Sequence, residues 1–105
     1  AVEESYRKML NMSEEKYDRF RAIEEEIKDK LNEAVVTKMN PTDEIGKTIT
    51  QLHKEWIMMT WKTYSSEAHK GLSKMYVFDD RFKAYYDDKV EGCADFLQKA
   101  IEHWA

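Results

Sequence analysis

The chain has 105 residues, with 17 Lys and Arg against 21 Asp and Glu for a formal net charge of −4, and it holds three Gly, one Pro and one Cys. That length supports one domain, the acidic balance without a basic cluster excludes nucleic-acid binding by phosphate neutralisation, and no apolar run approaches the roughly 18 residues of a membrane span. The lone Cys93 excludes an internal disulfide and a cysteine-built zinc cluster, and implies a reducing, cytoplasmic setting.

Few turn-formers and abundant Glu, Lys, Met and Ala predict an almost entirely helical chain. Residues 1–12 carry Tyr6, Met9, Leu10 and Met12 without a clean start or stop, as a short helix or as a tail that orders against something else. Ser13 reads as an N-cap with Glu14 and Glu15 in the first turn. Tyr17, Phe20, Ile23, Ile27, Leu31, Ala34 and Val35 then recur at three- and four-residue steps, predicting an amphipathic helix over about 14–38. Its wet face carries Glu24 before Lys28 and Glu26 before Lys30, pairs spaced for helical support. Asn40-Pro41 ends it and opens a second helix over about 41–62, with Asn40 as cap. Ile45, Ile49, Leu52, Trp56 and Met59 form its core stripe, and His53, Ile57 and Trp61 a second stripe that marks a central helix touched on two sides.

A third helix is expected over 66–78, capped by Ser65 or Ser66, with Ala68, Leu72 and Met75 as its core stripe and His69 and Tyr76 on the flank. Gly71 inside it marks a place where a neighbouring backbone comes close. Asp79 caps a short helix with Phe82, Tyr85 and Tyr86 on one face. A last helix over about 90–104 carries Val90, Cys93, Ala94, Leu97, Ala100, Ile101 and Trp104 at near-ideal spacing. The expected architecture is all-α, a compact bundle of about five helices. Residues 14–105 form the domain, and residues 1–13 form a mobile N-terminal segment.

Nothing in this pattern predicts catalysis, a metal or a cofactor. His53, His69 and His103 form no HExxH and no i, i+4 pair, so the first two read as hydrogen-bonded groups beside the core. Cys93 sits on an apolar face flanked by Glu91 and Asp95, which raise rather than lower a thiol pKa. The acid pairs Asp79-Asp80 and Asp87-Asp88 read as caps and turns, and Ser65-Ser66 lacks a nucleophile elbow. What remains is a surplus of large side chains. Trp56, Met59, Met75 and Phe82 suit a core, whereas Met58, Trp61, Tyr64, Tyr76 and Tyr86 exceed its needs. Such rings and thioethers, with a few polar tips, line apolar small-molecule sites.

The run His53-Lys54-Glu55-Trp56-Ile57, then Ser66-Glu67-Ala68-His69-Lys70-Gly71-Leu72, then Met75-Tyr76-Val77-Phe78-Asp79-Asp80-Arg81-Phe82 resembles the TipAS antibiotic-recognition domain. Tyr85-Tyr86-Asp87 and the stretch Gly92–Ile101 fit that family's closing helix, and the Ser13 cap with the acidic helix after it looks like its first half. The resemblance implies a globin-like, all-α effector domain that senses and sequesters bulky aromatic or hydrophobic antibiotics in an apolar cleft. Such domains end some MerR-family transcription regulators, where a preceding winged helix-turn-helix binds DNA and a coiled coil makes a homodimer. The domain itself then touches neither nucleic acid nor membrane. Some members capture their drug covalently through a cysteine in the loop before the His-x-Gly segment. Here that loop reads Thr63-Tyr64-Ser65-Ser66, so binding is expected to be non-covalent. The expected ligand-binding residues are His53, Trp56, Trp61, Tyr64, His69, Tyr76, Phe82 and Tyr86, with Tyr6, Met9 and Met12 in a closing lid. Alanine at Trp61 is expected to weaken binding more than alanine at Trp56. The alternative is a helical protein-interaction module, whose wide apolar arc would meet a partner helix.

Overall fold

The computed structural model describes residues 7–105, and five complete helices lie among them: α1 (Glu14–Val36), α2 (Glu44–Met58), α3 (Ser66–Phe78), α4 (Asp80–Tyr86) and α5 (Cys93–Trp104). Residues 7–9 are also helical, and Tyr6 lies outside the described residues. The architecture is an all-α bundle. α5 is its hub, packed against each of the other four helices, while α1 also lies on α2 and α3 on α4.

The stripe read along α1 is the buried one: Tyr17, Phe20, Ile23, Ile27, Leu31 and Ala34 all face inward. Cys93, Ala94, Phe96, Leu97, Ala100 and Ile101 of α5 meet Ile23, Ile27, Leu31 and Ala34 in one cluster, together with Ile49 from α2 and Tyr76 from α3. A full burial of each Ile or Leu stabilises the fold by about 1.5–3 kcal/mol, so this one interface dominates stability. Met12 joins a second cluster with Tyr17 and Phe20, against which Leu10, Trp56 and Met59 pack.

The ends of the helices follow local chemistry. Ser13 Oγ accepts the Lys16 N–H at 3.2 Å and starts α1. α1 stops at Val36, two residues before the expected end at Lys38, because Lys38 turns left-handed at φ +60. That turn lets the Lys38 and Met39 amides close back on Val35 and Ala34 carbonyls at 3.1 and 2.8 Å, the pairing of a Schellman stop. α2 starts at Glu44, later than the expected 41, and Asn40 is not its cap. The Asn40 side chain instead accepts from the Thr42 amide and hydroxyl, and the Asp43 carboxylate turns back to the Asn40 N–H. The Pro41 carbonyl is also engaged, accepting the Trp104 indole N–H at 3.1 Å. α2 then ends at Met58, short of the expected 62, and residues 59–65 form a turn.

α3 spans the expected residues, with Ser65 Oγ accepting the Ala68 amide at 3.0 Å. Of the expected stripe only Leu72 packs against the core; Ala68 and Met75 do not. His69, Ser73 and Tyr76 are buried, while Ala68 is exposed and Met75 keeps 48% of its surface in water. Phe82, expected as core, is 38% exposed. Gly71 is no close approach either, since an added Cβ would meet nothing within 4 Å. The tight glycine is Gly46, where a Cβ would stand 1.8 Å from the Pro41 carbonyl oxygen. α4 begins as expected, with Asp79 Oδ1 accepting the Arg81 amide at 2.9 Å. α5 begins at Cys93, later than the expected 90, because Gly92 takes φ +102 and Asp87 reaches across to accept the Ala94 amide at 2.8 Å.

Candidate functional site

Four helices leave a cavity of about 470 Å³ between them, walled by Glu24 of α1, Trp56 of α2, Tyr76 of α3 and Arg81, Phe82, Tyr85 and Tyr86 of α4. That volume falls in the range of small-molecule pockets, roughly 300–1,000 Å³. Its wall is mainly aromatic. Tyr76 contacts Tyr86 and Phe82 with ring centroids 4.8 and 5.7 Å apart, and Tyr85 meets Tyr86 edge-on at 5.0 Å. Trp56 is stacked from behind by Phe20, centroids 5.0 Å apart. The Trp56 indole N–H is buried and has no hydrogen-bond partner among the described residues. An unmet buried donor costs about 1–3 kcal/mol, which an acceptor that reached it would recover.

The rim is polar. Tyr85 donates its hydroxyl proton to Glu24, whose other oxygen takes Arg21 at 3.0 Å, and Lys28 lies over the Tyr85 ring at 4.2 Å. Glu24 and Lys28, spaced for a mutual pair, therefore both turn to Tyr85. Arg81 stays at the mouth, paired with Asp79 at 3.0 Å.

Behind Tyr76 runs a buried chain of hydrogen bonds. The Tyr76 hydroxyl lies 2.9 Å from His53 Nε2, His53 Nδ1 lies 2.8 Å from His69 Nε2, and His69 Nδ1 lies 2.9 Å from the Tyr64 hydroxyl. The two imidazoles are parallel and fully enclosed. Burial, then the neighbouring His69, pushes the His53 pKa down to about 3; burial, then Lys54, lowers His69 to about 4. Both rings are neutral at pH 7. Burial lifts Tyr76 to about 12 and Tyr86 well above its ordinary value, so the cavity presents neutral hydroxyls. Cys93, its thiol pushed up to about 11 by burial and then by Asp87, donates to Asn32 at 3.3 Å and has no nucleophilic character. The acid acting on it is Asp87 rather than its sequence neighbours. No group of three His, Cys, Asp or Glu among the described residues is placed to hold a metal. No helix among them is long and apolar enough to cross a membrane.

The sequence matches the profile of the TipAS antibiotic-recognition domain over residues 1–104, nearly its whole length. The chain belongs to the TipAS family. No curated protein and no solved structure matches it. A TipAS domain recognises antibiotics, and its family is one of ligand recognition rather than of catalysis.

Of the residues expected to bind ligand, Trp56, Tyr76, Phe82 and Tyr86 line the TipAS cavity together. His53, His69 and Tyr64 form the chain behind it, and Tyr64 reaches a separate groove with Lys47, Thr50, Gln51, Lys54 and Trp104. Trp61 sits in the turn after α2 and lines neither space. Met12 is buried beside Trp56 and Met59, whereas Met9 is 73% exposed. Sequence reasoning missed Glu24, Arg81 and Tyr85. Tyr85 shares the face of Phe82 and Tyr86, a signal that was available. Glu24 carried none, because its partner lies 61 residues away.

Proposed function

We propose that this TipAS domain is the drug-sensing and sequestering effector part of a MerR-type transcription regulator in the cytoplasm, and that it binds bulky aromatic or hydrophobic antibiotics non-covalently in the α1–α4 cavity. The observation that carries this reading is the aromatic cavity of about 470 Å³, one of whose wall residues, Trp56, also has a buried, unmet N–H. Trp56, Tyr76, Phe82 and Tyr86 supply flat apolar contact, and Trp56 offers the donor that fixes orientation. The loop at 63–66 offers no thiol and Cys93 is enclosed, which supports binding without a covalent bond. The ligand favours the conformation in which α4 closes on it, and the N-terminal segment, residues 1–13, transmits or completes that closure; the burial of Met12 beside Trp56 supports this role. DNA contact and homodimerisation belong to a preceding part of a full-length regulator.

A thermal-shift screen of hydrophobic aromatic antibiotics tests this. A ligand at a hundredfold excess over its Kd stabilises the fold by about 2.7 kcal/mol. Trp56→Phe keeps the wall but loses the N–H and is expected to weaken binding about tenfold, the effect of one hydrogen bond. Trp61→Ala is expected to leave affinity unchanged, reversing the ranking that the helical wheel gives. A panel that leaves melting unchanged, or a complex indifferent to Trp56→Phe, overturns the reading.

A second reading rests on exposed apolar side chains along α3 and into α4. Phe78 is 83% exposed, with Met75 one turn before it and Phe82 after it. A helical interaction module would use this face. Concentration-dependent self-association or partner binding, without any drug-induced change in tryptophan fluorescence, would favour it.

A further inference from the structure

The buried chain Tyr76–His53–His69–Tyr64 joins the cavity to the groove on its far side, since Tyr76 lines the first and Tyr64 the second. A neutral imidazole has one N–H and one bare nitrogen, so it must donate on one side and accept on the other. Two arrangements satisfy the whole chain. In one, Tyr64 donates to His69 Nδ1, His69 Nε2–H to His53 Nδ1, and His53 Nε2–H to Tyr76. In the other, every bond runs the opposite way and both rings carry the proton on Nδ1. A mixed pair sets two N–H groups, or two lone pairs, facing each other across 2.8 Å in a buried site, which leaves both polar atoms unsatisfied. We propose that these four side chains are a two-state hydrogen-bond wire that reverses as a unit and reports what Tyr76 meets in the cavity to the surface at Tyr64.

The direction of signalling follows from the ends. When the cavity is empty, Tyr76 has an inward partner in His53, and the nearby Tyr86 hydroxyl acts on its oxygen. A ligand with an acceptor beside Tyr76 favours the arrangement in which the Tyr76 hydroxyl donates into the cavity. His53 must then donate to Tyr76, and the reversal runs on through His69 to Tyr64. There the hydroxyl, previously an acceptor from His69, becomes a donor to it. Tyr64 lies under the Lys54 ammonium, 4.4 Å from the ring centroid, so its hydrogen-bonding character changes on an exposed, charged surface. Reversal passes each proton to the acceptor of its own hydrogen bond, from Tyr76 to His53 Nε2, from His53 Nδ1 to His69 Nε2 and from His69 Nδ1 to Tyr64; Tyr76 takes a proton from water on the cavity side and Tyr64 gives its own to water on the groove side, so the net charge of the chain is unchanged. The use of the wire as a reporter rests on the ligand-binding reading above, whereas its two-state character does not.

Side-chain nitrogen NMR of the imidazoles at pH 7 tests the wire in the ligand-free chain, in Tyr64→Phe and in Tyr76→Phe. Both substitutions keep the ring and remove one hydroxyl. A buried N–H without an acceptor is costlier than a bare nitrogen without a donor. Tyr64→Phe is therefore expected to put both protons on Nε2, and Tyr76→Phe to put both on Nδ1. Each substitution thus sets the ring it does not touch. The unsubstituted chain, which needs no altered residue to fold, is expected to show one tautomer shared by both rings, or both in fast exchange together. Different tautomers on the two rings, an imidazolium on either, or the same tautomer pair in both variants overturns the proposal. Drug titration of the same proteins is a separate readout. An unoccupied cavity with coupled tautomers removes the proposed function alone, and a drug-binding cavity with uncoupled tautomers removes the wire alone.

Discussion

His53 holds two partners from the middle of the protein, and its loss is felt at both. His53→Leu leaves His69 and Tyr76 each with a buried polar atom unmet, so a loss of about 2–4 kcal/mol is expected in urea denaturation. The same pair ties stability to pH. Folded His53 and His69 have pKa values near 3 and 4, below the 6.5 of the unfolded chain. As pH falls the unfolded state takes up protons first, so the contribution of these rings is complete above about pH 6.5 and is lost progressively toward pH 4. The slope approaches ~1.4 kcal/mol per pH unit for each ring. Equal stability at pH 7 and pH 5 would contradict it, and His69→Gln should flatten the acid limb. The glycines make an opposed pair at this scale. Gly46→Ala drives a methyl into the Pro41 carbonyl and is expected to cost about 2–3 kcal/mol, whereas Gly71→Ala meets open space inside a helix and should gain about 1 kcal/mol. Chemical denaturation of the two variants checks both signs.

Helix by helix, legibility depends on what each helix faces. α1 and α5 are readable from spacing because one apolar stripe meets one apolar core, from Tyr17 to Ala34 and from Cys93 to Ile101. α3 is misread by the same rule. Its inward residues His69, Ser73 and Tyr76 are polar, and the enclosed rings are satisfied by partners on α2 and in the loop at Tyr64 that a wheel cannot show. Caps set by a neighbouring side chain, Ser13, Ser65 and Asp79, are legible for the same reason of locality. The starts of α2 and α5 are not, because they depend on Trp104 reaching Pro41 and Asp87 reaching Ala94. Two tests belong here. Asp87→Ala removes a carboxylate from the first turn of α5 and is expected to cost about 1 kcal/mol. Lys38→Gly relieves a left-handed stop and is expected to add about 0.5–1 kcal/mol. Thermal melts of the two variants should move in opposite directions.

For the molecule as a whole, the sequence carries the family and the aromatic surplus, and the fold decides which of those rings share one space. Trp56, Tyr76, Phe82 and Tyr86 converge because α4 folds back from α3 onto α5; Trp61 points the lesson, being on the same wheel stripe as His53 yet beyond the end of α2. Asp79 serves as the C-cap of α3 and the N-cap of α4, so the two helices share a single joint. α4 has seven residues, too few to persist without packing, and Tyr86 is its one buried side chain. Amide exchange is therefore expected to be faster through 83–87 than through α5, and equal protection would count against this. This short panel hangs on one joint, with Tyr86 its buried anchor and Tyr85 tied to Glu24 at the rim, so it is the part of the cavity wall that opens at least cost, while the α1–α5 frame behind it holds. Such a construction makes the breadth of acceptable guests a property of seven residues, tunable at the half-exposed ring of Phe82, whereas Tyr86 belongs to the core.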